Sequence, residues 1–167
     1  MTIAFALIGL IALVASLMVV LARNPVVSAL WLALTFAAVA GIFVVLGAEF
    51  LAAIQLIVYA GAILVFVLFV VMLLNLGKLP LAEGGHMQAG IGACLAMALG
   101  LIVALAVKAN DGYGVHGDIT AAEIAKVGNT EALAAVMFSK YVIAFELTSL
   151  LLTAAVVGAM VLARPRT

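Results

Sequence analysis

The chain alternates long apolar runs with short polar breaks. The runs cover about residues 2–22, 26–47, 50–76, 88–107 and 142–163. Each run is near or above the roughly 20 residues that an α-helix, rising about 1.5 Å per residue, needs to cross about 30 Å of hydrocarbon. The pattern therefore predicts an all-α integral membrane protein with five transmembrane helices, in a single membrane domain over residues 1–167.

Composition supports a membrane environment. Of the 167 residues, 69% are apolar and 8% are charged, against roughly half and a quarter in a typical soluble domain. The formal net charge is zero, which gives no basic footprint for binding nucleic acid. The first run has no basic leader, so it is predicted to be a transmembrane helix and not a cleaved signal peptide.

The basic residues predict the orientation. Arg23, Lys78, Arg164 and Arg166 fall on one side of the predicted spans, and short loops rich in Lys and Arg remain cytoplasmic. We therefore expect the N-terminus outside and the C-terminus inside. The loop over residues 108–141 then lies outside, on the same side as the N-terminus.

Short helices are predicted within this long outer loop. Thr120 and Glu123 have the spacing of a capping box at a helix start, and Gly128 is expected to end that helix. A second fragment, Glu131–Phe138, is apolar enough to lie on the membrane surface before the last span.

The sequence contains no set of residues with the spacing that binds a metal or a redox cofactor. His86, His116 and Cys94 occur singly, and there is no CxxC, HExxH or phosphate-binding glycine loop. We therefore expect no catalytic residue, no metal site and no cofactor in this chain. Any redox chemistry is expected to take place elsewhere.

Small residues are predicted to mediate helix packing in spans four and five. In lipid, small side chains let helix backbones approach closely, and packing drives association. The two sets are Gly92, Ala96, Gly100 and Ala104 in span four, and Ala155, Ala159 and Ala163 in span five. These residues are expected to meet other subunits; alternatively, they only close the chain's own five-helix bundle.

The third run is too long for a straight helix across the bilayer. Between Glu49 and Lys78 lie 28 uncharged residues, which as an α-helix would extend about 42 Å. The helix must tilt or be irregular. Gly61 lowers the cost of leaving α geometry, and a π-bulge there would free a carbonyl to bond another group. The alternative is that Gly61 packs against a neighbouring backbone.

Polar side chains mark one face of the same run. Gln55 and Tyr59 are four residues apart and share a face of an α-helix. The stripe is predicted to continue through Ala52, Ala62 and Phe66. A glutamine in hydrocarbon is costly unless it is hydrogen-bonded, so this face should look into protein or internal water.

Glu146 is the ionisable residue inside the fifth span. An ionised carboxylate in lipid is expensive, so such a residue usually has a function. It either handles protons, or it is an interfacial glutamate that reaches water or bonds a neighbouring helix.

Three stretches resemble one known family. They are "RNPVVSALWLALTFAAVAGIFVVLGAEF" (residues 23–50), "AEFLAAIQLIVYAGAILVFVLFVVMLLN" (residues 48–75) and "FELTSLLL" (residues 145–152). The chain resembles subunit J of bacterial respiratory complex I (NADH:quinone oxidoreductase), the counterpart of mitochondrial NADH dehydrogenase subunit 6.

The resemblance implies a switch in the third helix. In that family the helix holds a π-bulge, here over Tyr59 to about Phe66, and its change between α and π geometry is thought to open or close a hydrated connection to the proton-pumping arm. The switch residues would be Gly61, Ala62, Val65 and Phe66, and the proton-pathway residues Gln55, Tyr59 and Glu146. Phe66 stands where leucine is expected, which could alter how the bulge packs.

The resemblance also implies the partners. FMN, iron–sulfur clusters and quinone would be held by other subunits, and this chain would couple their chemistry to proton translocation in the bacterial inner (cytoplasmic) membrane. It would contact lipid and the quinone-site and antiporter-like membrane subunits. Two alternatives stay open: a subunit of a related sodium/proton antiporter or membrane-bound hydrogenase, and a purely structural membrane spacer.

Overall fold

The protein is described by a computed structural model, which covers residues 1–74, 86–109 and 121–164. Helices follow one another throughout these ranges. They are α1 (Thr2–Leu21), α2 (Pro25–Val45), α3 (Glu49–Ile54), a π-helical segment (Gln55–Ile63), α4 (Leu64–Leu73), α5 (His86–Ala109), α6 (Ala121–Val127), α7 (Asn129–Lys140) and α8 (Val142–Ala163). We call α3, the π segment and α4 together the third span.

The prediction of an all-helical chain with five membrane spans is confirmed. Five helical stretches are long and apolar enough to cross a bilayer: Thr2–Leu21, Pro25–Val45, Glu49–Leu73, Gly90–Ala109 and Val142–Ala163. Their mean hydropathies lie between 2.0 and 3.0. Which ends face the cytoplasm stays a prediction from the basic residues.

Local sequence sets both ends of α2. The Asn24 carboxamide oxygen accepts a hydrogen bond of 2.9 Å from the Val26 N–H, and Pro25 occupies the first helical position, where no N–H is needed. At the other end Gly47 has a φ of 73°, and the Ala48 N–H bonds the Phe43 carbonyl at 2.8 Å. This Schellman turn reverses the chain into the third span.

The first three spans pack together through small side chains. Among the described residues, those buried in this packing are mostly alanines: Ala15, Ala29, Ala38, Ala40 and Ala52, with Leu64. A Cβ added to Gly41 would lie 3.4 Å from Ile8 of α1, so the backbones approach closely there. The Ser28 hydroxyl donates a 2.6 Å hydrogen bond from α2 to the Val19 carbonyl of α1.

Two spans have little contact with the rest of the described chain. Residues 90–109 of α5 are exposed throughout, and a Cβ added to Gly92 or Gly100 would meet nothing within 4 Å. Helix α8 is also exposed along nearly its whole length, and it meets α7 through Phe138 and Phe145, whose ring centroids are 5.0 Å apart. The stripe of Gly92, Ala96, Gly100 and Ala104 therefore does not close an intrachain bundle among the described helices.

The short helices lie beside the turn between α2 and α3. Gly128 ends α6 as predicted, with a φ of 98°, and α7 extends beyond the predicted fragment at both ends. Helix α7 packs against α3, which places it at the end of the bundle where the third span begins. Lys78, His116, Thr120 and Arg166 lie outside the described residues, as do the side chains of His86 and Glu123.

Candidate coupling site in the third span

The third span changes its backbone hydrogen bonding at Gln55. The Gln55 N–H still bonds the Leu51 and Ala52 carbonyls, whereas at the other end the Leu64 N–H bonds the Tyr59 carbonyl, five residues back. The nine residues Gln55–Ile63 form a π-helix. The predicted irregularity of this helix is therefore confirmed, but it begins before Tyr59 and ends before Phe66.

The π segment leaves one carbonyl without its own backbone donor. Leu64 bonds Tyr59, and α4 then returns to pairing four residues apart. Between these bonds, two N–H donors (Val65 and Phe66) face three acceptors: the carbonyls of Ala60, Gly61 and Ala62. One of the three is thus available to water or to another group, as π-bulges commonly allow.

The π segment also rotates the helix beyond it. In a straight α-helix, Phe66 lies about four turns after Ala52 and shares its face. In the structure Ala52 is 5% exposed, Leu64 is 6% exposed and Phe66 is 67% exposed. A π-helix turns less per residue than an α-helix, and the deficit over nine residues brings Leu64, in place of Phe66, onto the buried face. The predicted continuation of the stripe through Ala62 and Phe66 is therefore wrong.

Tyr59 contacts an aromatic ring of α2. Its ring centroid lies 5.5 Å from that of Phe36, with an interplanar angle of 64°, the edge-to-face geometry that aromatic pairs prefer. Gln55 is half-buried and Tyr59 is 44% exposed. Sequence analysis missed Phe36, because one aromatic residue in an apolar span carries no distinguishing signal.

Gly61 lies within the π segment, away from the other described helices. A Cβ added there would meet only the Leu56 carbonyl oxygen, at 3.4 Å. That oxygen belongs to the same helix and is five residues back. Among the described residues, then, Gly61 is not a point of close approach between helices.

The other predicted switch and pathway residues are not all brought together. Ala62 lies in the π segment, while Val65 and Phe66 lie in α4. Glu146 is exposed in α8, and its backbone carbonyl accepts a 2.7 Å hydrogen bond from the Ser149 hydroxyl. No extensive packing of α8 against the third span is seen within the described ranges. No group of three potential metal ligands occurs there either.

Comparison with known proteins places the chain among membrane subunits of respiratory enzymes. Residues 15–162 match the model of the family described as NADH-ubiquinone/plastoquinone oxidoreductase chain 6. The NADH-quinone oxidoreductase subunit J of Rhodobacter capsulatus is 39% identical over 160 residues, covering 95% of this chain and 79% of the relative. The subunit J of Escherichia coli K12 is 38% identical over 163 residues, covering 95% and 84%. That of Rickettsia typhi is 31% identical over 164 residues, covering 97% and 80%.

The chain belongs to the NADH-quinone oxidoreductase subunit J/chain 6 family. It is accordingly a multi-pass membrane subunit of bacterial respiratory complex I.

Proposed function

We propose that this chain couples quinone reduction in partner subunits to proton translocation by switching its third span between π and α geometry. The observation that carries the proposal is the register shift across the π segment. With the π segment, Leu64 is buried and Phe66 is exposed; with α geometry, Phe66 would take the buried face. One backbone change therefore exchanges two side chains of different size.

Such an exchange can control a water path. The bulky aromatic ring and the smaller leucine would fill the face beside α2 differently in the two states. Gln55, Tyr59 and the carbonyl left free by the π segment supply groups that can hydrogen-bond a chain of waters. A conformational preference of about 1.4 kcal/mol changes a two-state ratio tenfold, so modest differences in partner contacts are enough to switch the populations.

The chemistry that drives the switch lies in other subunits. The relatives are named NADH-quinone oxidoreductase subunits, which supports placing FMN, iron–sulfur clusters and quinone in partner chains. The proposed contribution of this chain is conformational, with Gly61, Ala62, Val65 and Phe66 as switch residues. Glu146 is proposed as a proton-handling group that meets its partners on another subunit.

Gly61→Val tests the proposal in the assembled complex. A β-branched side chain is stiff and would crowd the Leu56 carbonyl, which lies 3.4 Å from an added Cβ. NADH oxidation with a soluble acceptor at the peripheral arm should be unchanged, while quinone-linked proton pumping should fall several-fold. The matched control is Gly9→Val in α1, where an added Cβ meets nothing within 4 Å. Unchanged pumping by the Gly61 variant in a fully assembled complex would overturn the proposal.

Purification tests whether the chain assembles with NADH-oxidising subunits, on which the proposed coupling depends. A tagged chain extracted gently from its native membrane should bring down NADH-oxidising subunits, and the particle should reduce quinone with sensitivity to quinone-site inhibitors. A particle without NADH activity would overturn the proposed coupling to NADH oxidation.

A further inference from the structure

One side chain ties two distant parts of the sequence together at the start of the third span. The Asn129 amide nitrogen donates a 2.9 Å hydrogen bond to the Gly47 carbonyl, across 82 residues of sequence. Gly47 is the left-handed residue of the turn between α2 and α3, and Asn129 is the first residue of α7. The bond thus joins α7 to the turn from which the third span begins.

The backbone on both sides of this bond is specialised. Gly47 and Gly128 are the glycines with positive φ among the described residues, at 73° and 98°. Within the left-handed turn, the Gly47 N–H already donates a 3.0 Å hydrogen bond to the Val44 carbonyl. The Gly47 carbonyl is therefore the backbone group that accepts the bond from α7. Gly128 ends α6 and starts α7, so it presents Asn129 to that carbonyl.

Apolar packing supports the same connection. Helix α7 packs against α3, and a cavity of about 210 Å³ between them is lined by Leu51, Ala132, Leu133 and Val136 beside Asn129. Ala132 is 8% exposed. This contact falls within α3, the six-residue helix that leads directly into the π segment.

The hydrogen bonding of the Asn129 side chain is incomplete. The Asn129 carboxamide oxygen is buried and has no hydrogen-bond partner among the described residues. A buried acceptor without a donor carries a desolvation cost, which offsets part of what the donated bond gains. The connection therefore orients α7 without locking it.

We infer that Asn129 is a positioning residue for the third span: through the Gly47 carbonyl it holds the end of the span next to α7, and so biases the geometry of the π segment. This inference rests on the proposed switching function. The inference goes beyond that function because it assigns a role to the segment between the fourth and fifth spans. This segment would report on, or restrain, the conformation of the third span.

Asn129→Leu tests the inference, because leucine has similar size and removes both polar groups. The control is Ser139→Ala in the same helix, where the lost hydrogen bonds, 2.7 Å to the Ala135 carbonyl and 3.4 Å to the Val136 carbonyl, stay within α7 itself. Both variants are to be studied in the assembled complex. Spin-labelled unnatural amino acids at Val44 and Glu131, both exposed, report the distance between α2 and α7.

We expect Asn129→Leu to broaden the distance distribution and to lower the number of protons pumped per NADH at least twofold, with peripheral NADH oxidation unchanged. Ser139→Ala should alter neither quantity. An unchanged distribution, or a broadened distribution with normal pumping, would overturn the inference. Gly61→Val measured in parallel separates the two proposals: if it impairs pumping while Asn129→Leu does not, only the role of Asn129 fails.

Discussion

The rings of Phe36 and Tyr59 meet edge to face, with their centroids 5.5 Å apart, and so join α2 to the middle of the π segment. Both elements lie in the part of the chain that packs together, and Tyr59 is also the acceptor for the last π hydrogen bond, from the Leu64 N–H. The ring contact therefore acts on the residue whose backbone defines the end of the irregular segment.

Phe36→Leu should weaken this contact and shift the balance between π and α geometry. An edge-to-face pair contributes about 0.5–1.5 kcal/mol beyond its buried area, which corresponds to a change of roughly twofold to tenfold in a two-state ratio. We expect proton pumping per NADH to fall by a comparable factor, measured in proteoliposomes with a pH-sensitive dye. Phe5→Leu, at a half-exposed aromatic of α1, is the control, and equal effects of the two substitutions would argue against a specific role for the ring pair.

The buried face of α4 should change during turnover. A photoreactive diazirine residue placed at position 64 should crosslink to α2 within the chain in the resting enzyme, whereas one at position 66 should react with lipid or a partner subunit, as their exposures of 6% and 67% indicate. With NADH and quinone present, we expect position 66 to gain crosslinks to α2 and position 64 to lose them. Identical crosslinks at rest and during turnover would contradict a change of register.

Glu146→Gln should separate proton handling from packing. Glutamine keeps the size of the side chain and one acceptor oxygen but cannot ionise. We expect the complex to assemble normally and to pump several-fold fewer protons. Glu49→Gln, at the first residue of α3, is the comparison, since a helix-start glutamate contributes only about 0.3–1 kcal/mol through the helix dipole. Normal pumping with glutamine at position 146 would indicate that Glu146 is an interfacial contact and not a proton-handling group.

Gly100→Leu should impair assembly without harming the chain itself. Nothing in the described chain lies within 4 Å of an added Cβ at Gly100, so the larger side chain fits the isolated subunit. If the predicted stripe of small residues packs against another subunit, leucine would separate the helices, and native gels should show at least a twofold loss of intact complex. Ala98→Leu, on the opposite face of the same helix, should assemble normally. Equal amounts of complex from both variants would mean that this stripe faces lipid.

Much of the fold follows from the sequence because hydrophobic length is a strong signal. A run such as residues 142–163 can cross the bilayer as one helix, and the glycine at position 128 ends α6 because few other residues adopt its backbone conformation. The irregularity of the third span was likewise indicated by its length and by Gly61.

The register within the third span could not be predicted in the same way. A stripe drawn with α-helical spacing places Phe66 over Ala52, and only the extent of the π segment reveals that Leu64 takes that place. Contacts across long sequence separations were also missed. Asn129 lies two residues before the predicted second helical fragment, and its partner Gly47 lies 82 residues earlier.

The uncovered surfaces of α5 and α8 bear on how a cell maintains this protein. The first three spans pack together. In the last two spans, the stripe of small residues in α5 and the carboxyl group of Glu146 in α8 are not covered by the described chain. We expect a newly made copy to remain recognisable to membrane proteases until other subunits shield these features, because a carboxyl group facing lipid is unfavourable. Surplus copies would then be degraded, and the number of subunits would be matched to the number of finished complexes.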